Sequence, residues 1–150
     1  MTMRKDQFVN DFLSSDHQRL DVLFESLVVS VKDKKPFDHQ IMLFQLFKSG
    51  LLRHIYWEDT IIYPIYTGYV GKTIEPIESM MVEHQQLEAM ITEVEQQCRE
   101  SFDLDYLMAL GQFLSSHNEK EEKLLDPVMD DFSHHEIKEK IAIEISRSFK

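Results

Sequence analysis

The chain has 150 residues, of which 43% are hydrophobic and 29% are charged, a balance typical of one globular domain rather than a disordered segment. Its formal net charge of −11 argues against a nucleic-acid partner, and its single cysteine excludes an internal disulfide and a cysteine-rich metal site. No stretch resembles a signal peptide or is apolar enough to cross a membrane, so we expect a cytoplasmic protein with no membrane partner.

Four Gly and four Pro in the whole chain favour an all-α fold. Breaks at Pro36, between Pro64 and Pro76, near Ser101 and at Pro127 separate the helical segments. The predicted helices span roughly 5–32, 38–62, 75–99 and 103–125, followed by a short helix within 133–148. Short connections favour an antiparallel up-down-up-down four-helix bundle, formed as one domain over residues 1–150.

Each long helix has one apolar stripe at the spacing of a core-facing surface. Six ionisable residues stand in these stripes where an ordinary bundle has leucine: His17, His54, Glu58, His84, His117 and Glu121. Because residue i+4 lies about 40° round the helix from residue i, each H-x3-E pair projects from one face. We therefore expect four histidines and two glutamates to meet in the middle of the bundle.

The sequence contains two motifs that alternate, each in two copies. Residues 16–21 and 83–88 both read [DE]-H-Q-x-L-[DE], whereas residues 54–64 and 117–127 both read H-x3-E-[DE]-x-[IL]-[IL]-x-P. This order predicts two helical hairpins related by an approximate two-fold axis.

Carboxylates in a core cost several kcal/mol unless a pKa shift or a bound cation neutralises them. Imidazole nitrogens together with carboxylate oxygens suit iron, manganese or zinc, and such residues in a bundle core are typical of dinuclear centres. The two-fold repeat favours two metal ions, with Glu58 and Glu121 as candidate bridges. The simpler alternative is a bundle whose His and Glu residues do no metal chemistry.

The alternation of a single His with H-x3-E resembles the hemerythrin-like, or HHE cation-binding, family over roughly residues 8–130. The resemblance implies a bundle that holds two iron ions, as Fe2+ or Fe3+, which an oxo or hydroxo group can join; manganese and zinc stay open as alternatives. It implies that His17 and His54 bind one iron and that His84 and His117 bind the other. By the same resemblance, Glu58 and Glu121 bridge the two ions.

Two features depart from the oxygen-carrying hemerythrins. Glu88 stands where they have a second His, and the last motif is H-x3-E where theirs ends in Asp at a longer spacing. The resemblance therefore does not extend to reversible oxygen carriage. Asp21 and Glu88 flank the stripes and are either extra oxygen ligands, hydrogen-bond acceptors of the histidines, or exposed charges.

The resemblance implies a metal-binding protein rather than an enzyme. Its small ligand would be O2, NO or a related oxidant, in binding, sensing or stress handling. The alternatives are iron–sulfur cluster repair or iron donation, and iron storage. The sequence leaves the oligomeric state open.

The sequence also gives expectations for four further positions. His39 lies about 22 Å along the helix from His54, too far to join its site. Asp59 and Glu122 lie about 140° round the helix from the histidines of their own motifs, so we expect both in solvent. Gly50, one turn before His54, either leaves room for a small ligand or permits a close helix contact.

Overall fold

The computed structural model describes residues 8–125, 129 and 135–149, and all the elements described are helical. The α-helices are α1 (Phe8–Lys32), α2 (Phe37–Tyr56), α3 (Tyr63–Val70), α4 (Glu75–Gln97), α5 (Leu104–Lys120) and α6 (His135–Arg147). Two π-helical segments are present, π1 (Trp57–Ile62) between α2 and α3 and π2 (Glu121–Leu125) after α5. The all-α prediction is confirmed, while the predicted helical residues 5–7 lie outside the described part of the chain.

The second helical segment is longer than its sequence predicts. It continues past residue 62 through π1 into α3 and stops at Gly71, whose φ of 87° is left-handed. Pro64 does not end the segment, because it lies in the first turn of α3, where a residue without an N–H group is tolerated.

The four long helices pack as a helical bundle. Helix α1 packs against α2 and α5, and α4 packs against the same two helices. Helix α6 contacts π1 and α3. Within the described ranges, no helix combines the length and the apolarity that a membrane span requires.

The apolar core is divided into two clusters with a polar layer between them. On α1, Leu13 belongs to one cluster and Leu20 to the other, and the buried His17 lies between them. The same order recurs on α4 with Met80, His84 and Leu87. The helices thus place their inward histidines at a common level of the bundle.

Gly50 is a position of close helix contact. A Cβ atom at this residue would lie 2.7 Å from Cδ2 of Leu20 and 3.1 Å from Nη2 of Arg19, both on α1. Of the two roles that the sequence left open, the structure therefore supports close packing and not a space for a small ligand.

Candidate metal centre

All six predicted site residues lie in the polar layer and are buried. They come from six elements of the bundle: His17 from α1, His54 from α2, Glu58 from π1, His84 from α4, His117 from α5 and Glu121 from π2. The two glutamates have no exposed surface, and the four histidines are at most 3% exposed. Charged side chains are almost never so deeply buried unless something compensates them.

The side chains of this layer form two groups of potential metal ligands that share one carboxylate. The groups are His17, His54 and Glu121, and Glu58, His84, His117 and Glu121, and within each group one ligand atom per residue lies within 4.8 Å of the others. Glu121 places Oε1 3.2 Å from Nε2 of His17 and Oε2 3.3 Å from Nε2 of His117. Its two oxygens therefore face different groups.

Glu58 is arranged differently. Its Oε1 lies 3.2 Å from Nε2 of His54 and 3.3 Å from Nε2 of His84, so a single oxygen lies between histidines of the two groups. The hydroxyl of Tyr63 donates a hydrogen bond to the other oxygen, Oε2, at 3.0 Å, and lies 3.4 Å from Oε2 of Glu121. Both carboxylates thus lie between the pair His17 and His54 and the pair His84 and His117. Their coordination of a metal remains a prediction.

Five buried polar atoms in this layer have no hydrogen-bond partner within the described residues. They are Nε2 of His17, His54 and His84, and Oε1 of Glu58 and Glu121. A buried polar atom without a partner is costly, and five of them in one place indicate a site built for a ligand. Nitrogen and carboxylate oxygen donors in this number fit a transition-metal ion such as iron, manganese or zinc.

Each of the four histidines uses its other ring nitrogen, Nδ1, to contact a carboxylate. The Nδ1–oxygen distances are 3.0 Å from His17 to Glu122, 2.7 Å from His54 to Asp16, 2.7 Å from His84 to Asp59 and 2.9 Å from His117 to Glu83. A carboxylate in this position accepts the Nδ1–H bond, orients the ring and leaves Nε2 for a metal ion.

Of the alternatives that the sequence left open for Asp21 and Glu88, the structure supports exposed charges. Asp21 and Glu88 are exposed, and in the described part of the chain neither forms a hydrogen bond to one of the four histidines. Asp59 and Glu122, which we expected in solvent, are acceptors. The angle of about 140° relates each of them to the histidine of its own motif, whereas each one bonds a histidine of another helix.

Comparison with known families identifies the family of this chain. The model of the hemerythrin HHE cation-binding domain matches residues 9–129, most of the chain. The chain belongs to the hemerythrin HHE family. Searches among curated proteins and among solved structures gave no significant match. The resemblance indicated by the two alternating motifs is therefore confirmed, and the matched range contains the whole polar layer of this HHE domain.

Tyr63 is a further residue of the HHE site that sequence analysis did not identify. It is 1% exposed, and its ring is parallel to that of His84, with an interplanar angle of 2° and centroids 6.2 Å apart. In the sequence, only its position five residues after Glu58 connects Tyr63 with the site. In the structure, it follows π1 directly. A π-helical turn is rare and often marks a functional site, but the periodicity of the sequence does not reveal it.

We expect Tyr63→Phe to weaken metal binding without unfolding the HHE domain. The ring stays packed, but Glu58 loses its hydroxyl donor, and loss of such a buried hydrogen bond costs about 1–3 kcal/mol, roughly tenfold in affinity. Chelator competition with Zn(II) measures the change. Tyr66→Phe, at a tyrosine that is 2% exposed, is the control and should leave the affinity unchanged. Equal affinities for the two variants would show that the Tyr63 hydroxyl does not hold the carboxylates.

The buried carboxylates favour protonated histidines. Burial opposes the charged form of His84, but its hydrogen bond to Asp59 and the neighbouring carboxylate of Glu58 outweigh burial and raise the pKa of His84 to about 10. Burial also opposes the charged form of His54, but the charge of Glu58, the hydrogen bond to Asp16 and the nearby carboxylate of Glu121 outweigh burial and raise its pKa. Burial alone would raise the pKa of Glu121, yet contacts with His117 and other histidines lower it well below its usual range.

Metal affinity of the HHE domain is therefore expected to rise with pH. A metal ion must displace protons from histidines whose pKa is raised, so affinity should increase about tenfold per pH unit for each proton displaced. In the metal-free protein the raised pKa of His84 stabilises the fold below a pH of about 6.5, and this contribution is lost as the pH rises through about 10. Zn(II) competition titrations between about pH 6 and pH 8 test the first effect, and a flat profile would contradict it.

Proposed function

We propose that this HHE protein is a non-haem di-iron protein that binds O2, NO or a related small oxidant. In this proposal His17 and His54 bind one iron, His84 and His117 bind the other, and Glu58 and Glu121 bridge them. The observation that carries the proposal is the pair of buried ligand groups that share Glu121. The five nitrogen and oxygen atoms of the described layer that lack a hydrogen-bond partner support it.

The proposal includes the antiparallel up-down-up-down topology of the four long helices. The connection between α1 and α2 spans only residues 33–36, that between α3 and α4 only residues 71–74, and that between α4 and α5 only residues 98–103. Connections this short favour antiparallel neighbours.

The residues around the proposed metal centre would have different roles. When bound, iron supplies electrons and a coordination position for the oxidant. The two buried carboxylates neutralise much of the positive charge of two neighbouring cations, and Tyr63 fixes one oxygen of Glu58. The two apolar clusters keep bulk water from the polar layer, which strengthens the electrostatic contacts inside it.

Exposure of the iron-loaded protein to gas tests the proposal. The protein is loaded with Fe(II) without oxygen, and its visible absorption spectrum is recorded before and after addition of NO or O2. We expect a spectral change that zinc-loaded protein does not show, with no turnover of a substrate. Bound iron whose spectrum responds to neither gas would contradict the small-oxidant role, and transfer of that iron to an apo iron–sulfur protein would favour iron donation.

His39→Ala is the matched control for histidine loss. His39 contacts Oγ of Ser30 through Nδ1 at 2.8 Å and belongs to neither ligand group. Its substitution should leave both the metal content and the gas response unchanged.

A further inference from the structure

The four carboxylates that contact the Nδ1 atoms of the histidines form a closed ring around the bundle. Each of them is next in sequence to a predicted metal ligand: Asp16 to His17, Asp59 to Glu58, Glu83 to His84 and Glu122 to Glu121. In the described structure, Asp16 and Glu83 form no hydrogen bond with the histidine beside them in sequence. Each of the four carboxylates instead contacts a histidine supplied by another helix.

The order of these contacts follows the chain. An acid of α1 binds the histidine of α2, an acid of π1 binds that of α4, an acid of α4 binds that of α5, and an acid of π2 binds that of α1. Every element that supplies an acid therefore also supplies a predicted metal ligand, and the four links close on the first helix. The [DE] positions in the two alternating motifs account for all four links.

We propose that Asp16, Asp59, Glu83 and Glu122 are positioning residues that act as one ring on the metal centre. This inference rests on the proposed function, since it assigns a role toward the metal that the histidines would hold. Each carboxylate accepts the Nδ1–H of one imidazole, which fixes the direction of that ring and keeps Nε2 turned to the polar layer. Because each link joins two elements, the ring also holds the ligands of different helices in register.

The ring has two kinds of member. Asp16 also forms an ion pair with Arg19 at 2.9 Å, and Glu83 forms one with Lys120 at 3.1 Å. The other two acids form no ion pair with Lys or Arg in the parts of the chain described, and their side chains are 28% and 37% exposed. Substitution of these two leaves no cation without its partner and removes little from the core, so they give the cleaner test.

Asp59→Asn and Glu122→Gln test the ring directly. We expect each substitution to lower the Zn(II) affinity about 10- to 100-fold, as is typical when the partner of a metal-binding histidine is lost. The matched control is Glu88→Gln, which removes one negative charge from an exposed site one turn from His84. Its affinity should stay within about twofold of the wild type, because an exposed charge acts only weakly. The melting temperatures of the metal-free variants should lie within about 4 °C of the wild type.

A spectroscopic signature separates positioning from a general loss of stability. Nitrogen-15 NMR of the zinc-loaded protein should show the Nδ1–H of His84 as hydrogen-bonded and protected from exchange. Asp59→Asn should shift and weaken this signal and leave that of His54, whose acceptor is Asp16, unchanged. An affinity equal to that of Glu88→Gln, or an unshifted His84 signal, would overturn the ring and leave the proposed function standing.

Failure of the proposed function gives a different result. If the wild type binds neither Zn(II) nor Fe(II), the metal centre itself is wrong, and with it any role of the ring toward a metal. Comparison of the His84 signal in the metal-free wild type and Asp59→Asn would then still decide whether the hydrogen bond exists.

Discussion

Replacement of both Glu58 and Glu121 by alanine is expected to abolish metal binding. These two residues are the only carboxylates in the two ligand groups of the described structure, and each lies close to histidines of both halves. Their removal leaves only imidazoles to hold the cations and takes away the negative charge that would neutralise them. Elemental analysis after anaerobic Fe(II) loading should fall from two ions per chain to none.

The control for this variant is the pair Asp21→Ala and Glu88→Ala. It removes the same number of carboxylates close in sequence to the site, but both are exposed and belong to neither ligand group. It should keep its full metal content. Circular dichroism shows whether both double variants are folded, and two bound ions in the folded Glu58/Glu121 variant would contradict the bridging assignment.

Trp57→Ala is expected to lower the melting temperature by about 10 °C. Trp57 is 2% exposed and packs between the rings of Phe12, at 5.1 Å, and Phe149, at 5.5 Å between centroids. Its Nε1–H donates a hydrogen bond to Oγ of Ser148 at 2.9 Å. Loss of a buried aromatic side chain costs about 3–5 kcal/mol, and each kcal/mol shifts the melting temperature of a domain of this size by about 2–4 °C.

The matched control for this stability effect is the preceding residue. Tyr56 is 49% exposed, so Tyr56→Ala should change the free energy of unfolding by no more than about 0.5 kcal/mol. Thermal melts of the metal-free proteins, followed by circular dichroism, give both values. A shift below about 3 °C for Trp57→Ala would contradict the packing of α6 and the residues after it against π1.

The ligand set could be predicted from the sequence because it depends on spacing along single helices. An inward His followed by Glu at i+4 projects both side chains from one face whatever the neighbouring helices do, as His54 and Glu58 show. Contacts between helices carry no such signal. The bond from His84 to Asp59 depends on how two helices pack, so the sequence alone suggested Asp21 and Glu88 instead.

The ends of the helices show the same limit. Pro64 predicts a break at residue 62, but its effect depends on whether it falls inside a helix or in a first turn. Because π1 precedes α3, Pro64 falls in the first turn of α3. The periodicity of the sequence does not predict a π-helical turn. The same segment places Tyr63 beside Glu58, which is why the sequence did not identify it.

The number of metal ions bound per chain is the most direct test of a dinuclear centre in which two ligand groups share Glu121. Fe(II) is titrated into the metal-free protein without oxygen, bound iron is counted by elemental analysis, and the fluorescence of Trp57 is followed. Trp57 is the only tryptophan in the chain, and its ring centroid lies 6.5 Å from that of His54, so ions in the polar layer should quench it. Two ligand groups that share Glu121 predict quenching that ends at two ions per chain, whereas saturation at one ion, or no binding, would contradict a dinuclear centre.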